Sequence, residues 1–396
     1  MDPLQNPFSP GAGAPPPELV GRDPILEEAR ILVGRILNKK TEQNLLLTGL
    51  RGVGKTVLLN EIIRQAQTNG CQVIAIEASE GKSLGSALAP LLKKTFYTLD
   101  RLEGRKDAVR KGLVALRNFI GTIKINIGDL GLDIEPLSGI ADTGDMEVDL
   151  IDLFECAAQA AEEKGSAIVL VIDEIQYLSA KELGALIMAL HAMQQRSLPF
   201  ALIGAGLPTL PGLAGNAKSY AERLFRFPSI GALSRNDLET ALAVPFKASR
   251  VDIEKAALDE IYATTLGYPY FVQEWGYQLW NQASGSHIML NDVLAARGRV
   301  QTRLDKNFFT VRLERLTLGE KKFLRAMASF HVERVKLAEL ALKIGVSSQA
   351  LSPRRSSLIK KGMIYSPTHG DLSFTVPLFD EFMLRAMPTD SSICNA

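Results

Sequence analysis

Cysteine is scarce: Cys71, Cys156 and Cys394 are three among 396 residues, far apart and odd in number. That count excludes a disulfide framework and suits a reducing compartment. The four histidines, His191, His287, His331 and His369, lie in separate segments without cysteines nearby, which excludes the usual structural zinc patterns. No apolar run reaches bilayer length. The nearest candidate, residues 198–213, is interrupted by Gly204, Gly206, Pro208, Pro211 and Gly212. The amino terminus is rich in Pro and Gly, where a secretory leader would be basic and then apolar. These absences predict a cytoplasmic chain with no membrane partner.

Net charge is nearly absent as well, with 45 Lys+Arg against 44 Asp+Glu. The balance is uneven along the chain: residues 311–390 carry 13 basic against 8 acidic side chains, and the remainder 32 against 36. A modestly basic C-terminal segment suits an anionic partner, and a solvated surface accounts for the same count. The length, with 46% hydrophobic residues, predicts two or three domains with sizeable cores.

What is present is chemically pointed. Gly49-Leu50-Arg51-Gly52-Val53-Gly54-Lys55-Thr56 fits G-x-x-x-x-G-K-[ST] at every fixed position. The β-prone run Leu45-Leu46-Leu47-Thr48 precedes it, and a helical pattern from Val57 through Leu58, Leu59, Ile62 and Ile63 follows. Strand, glycine loop, helix is the context that a phosphate-binding loop requires. Glycines let successive backbone N–H groups turn inward around a phosphate, and the new helix directs its positive dipole end at the same anion. Lys55 would reach the β- and γ-phosphates of ATP, and the Thr56 hydroxyl would ligate Mg²⁺.

Hydrolysis needs a second constellation, and Ala167-Ile168-Val169-Leu170-Val171-Ile172-Asp173-Glu174 supplies one. Six consecutive apolar residues read as a strand buried on both faces of a parallel sheet. Two carboxylates stand at its carboxyl end, where open α/β sheets place ligands. Asp173 would hold the metal opposite Thr56, and Glu174 would orient or deprotonate the attacking water. The same pair is also a common start to a helix, since acidic residues favour a first turn.

Along the chain, residues 1–18 are too rich in Pro and Gly for a regular element and read as an extended arm. A helix runs to about Leu37, the loop unit follows, and Gln72–Glu77 is a second strand. Residues 84–120 look helical. Thr122–Ile127 and Leu130–Ile134 alternate with period two around Gly128-Asp129, a hairpin signal that places an insertion at about residues 121–136. Helices at 147–163 and 181–195, a buried strand from Phe200, a helix at 217–224 and a short strand at 226–230 complete a first domain, residues 19–233. Residues 234–310 read as four or five helices, with no strand candidate before about residue 364. Residues 311–390 show helices at 318–330 and 336–344, a Gly345 turn, a helix at 347–361 and two strands, the order of a winged helix-turn-helix. Trp275, Tyr277 and Trp280 are spaced for core packing on helix faces.

These motifs resemble the AAA+ ATPases, in the branch that includes origin-recognition-like and STAND-type prokaryotic proteins. Val20-Gly21-Arg22-Asp23 is similar to the branch's adenine-side motif, Asp173-Glu174-Ile175-Gln176 to its D-E-x-Q run, and Thr265-Leu266-Gly267-Tyr268-Pro269 to the G-x-P motif of its lid. The resemblance implies an ASCE-type P-loop α/β fold: a parallel sheet with helices on both faces, then a helical lid and a winged helix-turn-helix domain. It implies an ATPase using ATP and Mg²⁺. Gly49 to Val57, with Val20, Gly21, Arg22 and Pro269, would bind ATP; Thr56 and Asp173 the metal; Lys55 and Glu174 would act in catalysis. The strand end Gly204-Ala205-Gly206-Leu207-Pro208 falls at the family's first sensor position but carries no Asn or Ser, and Pro269 stands where a second sensor arginine is usual. Arg223 falls where an arginine finger is usual, with Arg226 as the alternative; a helix-terminal cation is the plain reading of Arg223.

Two functional readings follow. In one, nucleotide state controls assembly or action on double-stranded DNA, contacted by Ser348, Gln349, Arg354, Arg355, Lys360 and Lys361 of the helix at 347–361. In the other, the chain is a STAND-like switch that signals through its winged helix to a protein partner; no solenoid repeat accompanies it. ATP and ADP, DNA, further copies of the chain or another protein are the partners implied.

Overall fold

The computed structural model describes residues 1–11, 13–101, 107–122, 139–283, 285–368 and 370–388. They form two compact units. One comprises Arg22–Gly49 and Lys55–Ile230; the other comprises Met1–Gly21, Leu50–Gly54 and Gly231–Ala396.

The first unit is built on five parallel strands in the order β2-β3-β4-β1-β5: β1 (Asn44–Thr48), β2 (Gln72–Glu77), β3 (Ile168–Asp173), β4 (Phe200–Gly206) and β5 (Phe225–Arg226). Its helices are α1 (Asp23–Leu37), α2 (Lys55–Thr68), α3 (Leu84–Asp100), α4 (Asp107–Thr122), α5 (Met146–Glu163), α6 (Ala180–Gln195), α7 (Leu210–Ala217) and α8 (Ala221–Leu224). Strand periodicity explains how both faces are covered. Ile168, Leu170 and Ile172 of β3, with Phe200 and Leu202 of β4, join one apolar cluster with α3 to α6. The intervening Val169, Val171, Ala201 and Ile203 are buried too, with α2 against β2, β3 and β4. Both faces of these strands are therefore dry, as the unbroken apolar run at 167–172 requires.

One expectation for this unit is corrected, and another falls outside the described residues. Instead of one helix at 217–224, the chain forms α7 earlier and then the single turn α8, with Lys218 extended between them at φ −149°. Pro211 lies in the first turn of α7, where its missing N–H is no loss. The hairpin expected at about 121–136 falls almost wholly outside the described residues; Gly121 and Thr122 end α4.

The second unit contains α9 (Arg235–Ala248), α10 (Lys255–Thr265), α11 (Pro269–Gln282) and α12 (Leu290–Leu304), followed without a break by a π turn, Asp305–Phe309, and α13 (Thr310–Leu313). Then come α14 (Leu318–Ala328), α15 (Leu337–Ile344), α16 (Ser348–Lys360) and α17 (Phe379–Ala386). Strands were not expected before residue 364, yet three two-residue strands occur: β6 (Asp252–Ile253) pairs parallel with β7 (His287–Ile288), and β8 (Val335–Lys336) joins β9 (Ile364–Tyr365) and β10 (Asp371–Phe374) in the order β8-β10-β9. Strands of two residues leave no periodicity to read. An aromatic series holds this unit together: Tyr270 stacks on Phe308 at 4.4 Å, Phe271 meets Phe309 at 5.9 Å, and Phe309 stacks on Phe382 at 5.1 Å.

The N-terminal arm is not a bare extended chain. Pro3–Gln5 form a 3₁₀ turn, and Phe8 is only 1% exposed, its ring 4.8 Å from that of Phe246. Asn6 Nδ2 donates to the Tyr277 carbonyl and to Asn281 at 3.1 Å each, and Trp280 Nε1 donates to the Asp2 carbonyl at 2.7 Å. Gly276 admits the ring: a Cβ there would sit 2.6 Å from Phe8. Trp275 and Trp280 are buried, as their spacing suggested. Phe8→Ala should therefore lower the stability of this unit by about 3 kcal/mol, the scale of a buried Phe truncation. Gly276→Ala should destabilise the natural chain but be nearly neutral in the Phe8→Ala background. Additive losses in denaturant titrations would mean that the ring and the glycine do not share one site.

Candidate functional site

The parallel order brings the sequence-marked residues to one edge of the first unit. Strand β1 ends at Thr48 and β3 at Asp173, with β4 between them. Gly49 N–H donates to the Gly206 carbonyl at 3.1 Å, tying the start of the glycine loop to the end of β4. Lys55 opens α2 and is 5% exposed; its Nζ donates to the Gly49 carbonyl at 3.0 Å. Thr56 Oγ1 donates to Asp173 Oδ2 at 2.5 Å, spanning the breadth of β4. Val57 is half-buried on α2.

Asp173 Oδ1 accepts the Glu174 N–H at 2.8 Å. Burial raises the Asp173 pKa, against the opposing pull of the Thr56 and Glu174 hydrogen bonds and of Lys55. Glu174 holds φ +52°, a left-handed conformation uncommon outside glycine, which turns the chain sharply just past the strand. The Glu174 carboxylate accepts from Gln176 Nε2, and Gln176 Oε1 accepts the Leu207 N–H at 3.2 Å. The pair does not begin an α-helix; a single 3₁₀ turn, Ile175–Tyr177, follows.

Gln176 is the residue that sequence reasoning passed over. The end of β4 offers no Asn or Ser, and the polar group found there comes from this carboxamide. Gly206 makes the room, because a Cβ would fall 2.3 Å from Gln176 Oε1. The signals were the D-E-x-Q spacing and a glycine at the strand's last position, neither of which names the other.

Thr56 and Asp173 are hard oxygen donors of the kind Mg²⁺ prefers, and an ion that keeps waters and phosphate oxygens needs only one or two protein ligands. Among the described residues no group of three or more His, Cys, Asp or Glu is arranged for a metal.

In the second unit, Gly52 and Gly54 take φ +86° and +95°, the positive values that bend the loop. The Tyr268 ring edge lies against Gly52, with the hydroxyl 3.1 Å from where a Cβ would be. Arg51 N–H donates to the Thr375 carbonyl at 3.2 Å, and the Arg51 guanidinium covers Gly362, within 2.4 Å of a Cβ placed there. Leu50 and Val53 belong to the same segment, Val53 buried. Gly21, at φ +66°, faces Asp237, and Val20 is half-buried. Pro269 occupies the first turn of α11; just before it Gly267, at φ +72°, faces the Leu233 carbonyl at 2.2 Å from a Cβ position. Arg22, which opens α1 in the first unit, is 7% exposed.

The two arginine-finger candidates differ. Arg226 is paired with Glu42 at 3.0 Å and donates to Gln43 at 3.1 Å. Arg223 is exposed, and its guanidinium has no partner among the described residues. On α16, Gln349 and Arg354 are exposed, Ser348 is half-buried, and Lys360 is exposed. Arg355 donates to Ser366 at 3.2 Å. Lys361 is bound to buried Glu320 at 2.8 Å. Burial raises the Glu320 pKa, but hydrogen bonds from Lys361, Ser357 and Thr317 outweigh it and leave the carboxyl at about 2.

A five-stranded parallel sheet with one strand between the glycine-loop strand and the acidic strand is a fold found in P-loop ATPases, the AAA+ proteins among them. In agreement, residues 18–203 match the AAA ATPase domain family, while residues 306–383 match a domain of unknown function. No curated protein matches the chain. A Walker-type ATPase of Pyrococcus abyssi is similar in structure over 92% of this chain and 96% of its own, at 17% identity and a TM-score of 0.58. The RuvB Holliday junction branch migration motor of Thermotoga maritima aligns over 89% of this chain and 92% of its own, at 17% identity and a TM-score of 0.44. At 17% identity the likeness to the Pyrococcus ATPase is one of fold. No helix among the described residues is long and apolar enough to cross a membrane.

If Glu174 acts on ATP, Gln176→Ala should lower turnover by about 10-fold or more while sparing nucleotide affinity, because a displaced catalytic group is penalised steeply. Gly206→Ala should do the same by pushing the carboxamide aside, and the double variant should be little worse than either. Unchanged turnover in both single variants would make the bridge to Glu174 irrelevant to chemistry.

Proposed function

We propose that this chain binds ATP with Mg²⁺ and hydrolyses it at the β1–β3 edge. The observation that carries this reading is the convergence there of Lys55, Thr56, Asp173 and Glu174, with Thr56 and Asp173 joined at 2.5 Å. Lys55 would hold the β- and γ-phosphates. Thr56 and Asp173 would hold the metal ion, which supplies charge neutralisation on the phosphates when bound. Glu174 would orient the attacking water and take its proton, and Gln176 would fix the direction of that carboxylate. Loop residues Gly49 to Val57 would cradle the phosphates, with Val20, Gly21, Arg22 and Pro269 toward the base. Exposed Arg223, unlike the paired Arg226, would act on ATP held by a neighbouring copy.

The finer reading is that nucleotide state governs action on double-stranded DNA. The helix-turn-helix order α15, Gly345, α16, followed by β9 and β10 as a wing, supports it, as do the exposed Gln349, Arg354 and Lys360. The alternative, a STAND-like switch toward a protein partner, draws support from the Arg51–Thr375 bond and from the internal engagement of Arg355 and Lys361.

Glu174→Gln should cut ATP turnover by about 100-fold with binding intact, the scale of a lost general base. Lys55→Ala should weaken binding itself. If Arg223 acts in trans, mixing Glu174→Gln with Arg223→Ala should recover part of the activity that each lacks alone. Native turnover in Glu174→Gln would refute the catalytic assignment, and no recovery on mixing would confine Arg223 to its own surface.

For DNA, replacing Arg354 and Lys360 by Ala should flatten the plot of log affinity against log salt by about 0.9 for each phosphate that is no longer neutralised. Gln349→Ala should instead change which sequences are preferred. A duplex titration at about 50 mM salt, low enough for phosphate binding to count, that shows no association with ATP and Mg²⁺ present would leave the protein-partner reading in front.

A further inference from the structure

Arg223 stands on α8, a single turn of four residues, too short to hold its own shape. Its place is set by neighbours within the first unit. Ala221 and Leu224 are 0% and 2% exposed, the Tyr220 ring lies 4.6 Å from that of His191 on α6, and Lys218 Nζ donates to Glu147 Oε1 of α5 at 3.0 Å. The parallel pairing of β5 with β1 sets Phe225 beside Asn44, the first residue of β1. The five residues of β1 span roughly 16 Å, and Lys55 follows its far end. Arg223 is therefore remote from the Lys55 of its own chain, so any ATP that its exposed guanidinium reaches is held by another copy.

One side chain fixes the end of this turn. The Arg223 carbonyl lies in the last turn of a helix, where side chains or water replace helical partners, and it accepts Gln43 Nε2 at 3.0 Å. Oε1 of the same carboxamide accepts Arg226 Nε at 3.1 Å. The two partners settle the direction of the amide: turned over, it would set donor against donor and oxygen against oxygen. The adjacent Glu42 is fixed in turn. It pairs with Arg226 at 3.0 Å and with Arg35 of α1 at 2.9 Å, and its carbonyl accepts Gln194 Nε2 of α6 at 2.6 Å.

We propose that Gln43 is a positioning residue for ATP hydrolysis in a neighbouring copy: its carboxamide holds the Arg223 backbone in place while it engages Arg226. The inference rests on the reading that Arg223 acts on a neighbour's ATP. An arginine that stabilises transition-state charge works only at the right distance, and a displacement of about 1 Å at a reacting centre costs on the order of 100-fold. With its backbone already fixed, Arg223 has only its own side-chain torsions left to order when the neighbour docks.

The test mixes full-length variants in pairs and reads ATP turnover. Glu174→Gln copies keep Arg223 but lack their own catalysis; Arg223→Ala copies keep Glu174 but lack the arginine. Turnover recovered by Arg223→Ala is titrated first with Glu174→Gln as donor, then with a donor carrying Glu174→Gln and Gln43→Glu together. Gln43→Glu leaves an oxygen for Arg226 and removes the group that donates to Arg223. Circular dichroism checks its folding, and Gln43→Met, which lacks both bonds, is run beside it. Because the donor's own site is already silent, Gln43 acts in this mixture only through the neighbour. With either Gln43 variant the plateau of recovered turnover should fall about 10-fold, the scale of a slightly misplaced catalytic group, while KM for ATP stays the same. An equal plateau would overturn the inference alone. The same holds for an equal plateau reached only at higher donor concentration, which would make Gln43 a residue of assembly. If the Glu174→Gln donor itself restores nothing, Arg223 does not act on a neighbour, and that reading falls together with the role of Gln43.

Discussion

A parallel sheet delivers all its strand ends to one edge, and the order β2-β3-β4-β1-β5 decides which side chains meet there. The site depends on β4, the strand that carries none of its marked residues. For Thr56 to reach Asp173 across it, the end of β4 must present almost no side chain, and Gly204-Ala205-Gly206 does this. A Cβ on Gly204 would lie 2.7 Å from Leu46 and 3.3 Å from Ile175; one on Gly206 would strike Gln176 and Leu210. Glycine weakens a strand interior, because it has no side chain to pack and adds entropy to the unfolded chain. Here the missing packing is replaced by neighbours that move into the space, including the carboxamide that binds Glu174.

Glu174 shows the same exchange at a single residue. A left-handed backbone at a non-glycine position carries strain on the order of 1 kcal/mol or more. The Asp173 carboxylate accepting its N–H and the Gln176 amide bound to its carboxylate hold it there. Without the turn, Glu174 would continue the strand's alternation, and Asp173 and Glu174 would point to opposite faces of the sheet. The turn puts both carboxylates on the ligand edge, which two adjacent acids on a regular strand cannot achieve.

Local signals in the sequence disclosed most of this unit. The glycine loop and the run at 167–174 were legible because each is contiguous: glycines at fixed spacing, and six apolar residues ended by acids. Gln176 and Gly206 were not, since their relation exists only after β3 and β4 pair side by side. Pro211 concealed α7 because a proline that begins a helix and one that breaks it read alike without the cap. Phe8 was hidden by its neighbours: the composition of residues 1–18 argues against an element, and it says nothing about a single ring docking into a gap kept open by Gly276.

The bond from Arg51 N–H to Thr375 has a thermodynamic consequence under the nucleotide reading. The loop's tip is bonded at this N–H to the segment after β10, and its guanidinium rests on Gly362, just before β9. If nucleotide binding favours a different arrangement of Leu50–Gly54, it must strain or release these interactions, and the C-terminal segment shifts with them. Linkage makes the effect reciprocal: whatever partner binds the C-terminal segment in one of its arrangements changes nucleotide affinity by the same factor by which nucleotide changes its own. The size of that factor is bounded by the interactions at stake, one backbone hydrogen bond and the burial of one guanidinium, so roughly 1–3 kcal/mol or 5- to 150-fold. Such a coupling needs no large motion and does not depend on whether the partner is DNA or protein. It requires only that the tip of the loop answer to two ligands at once.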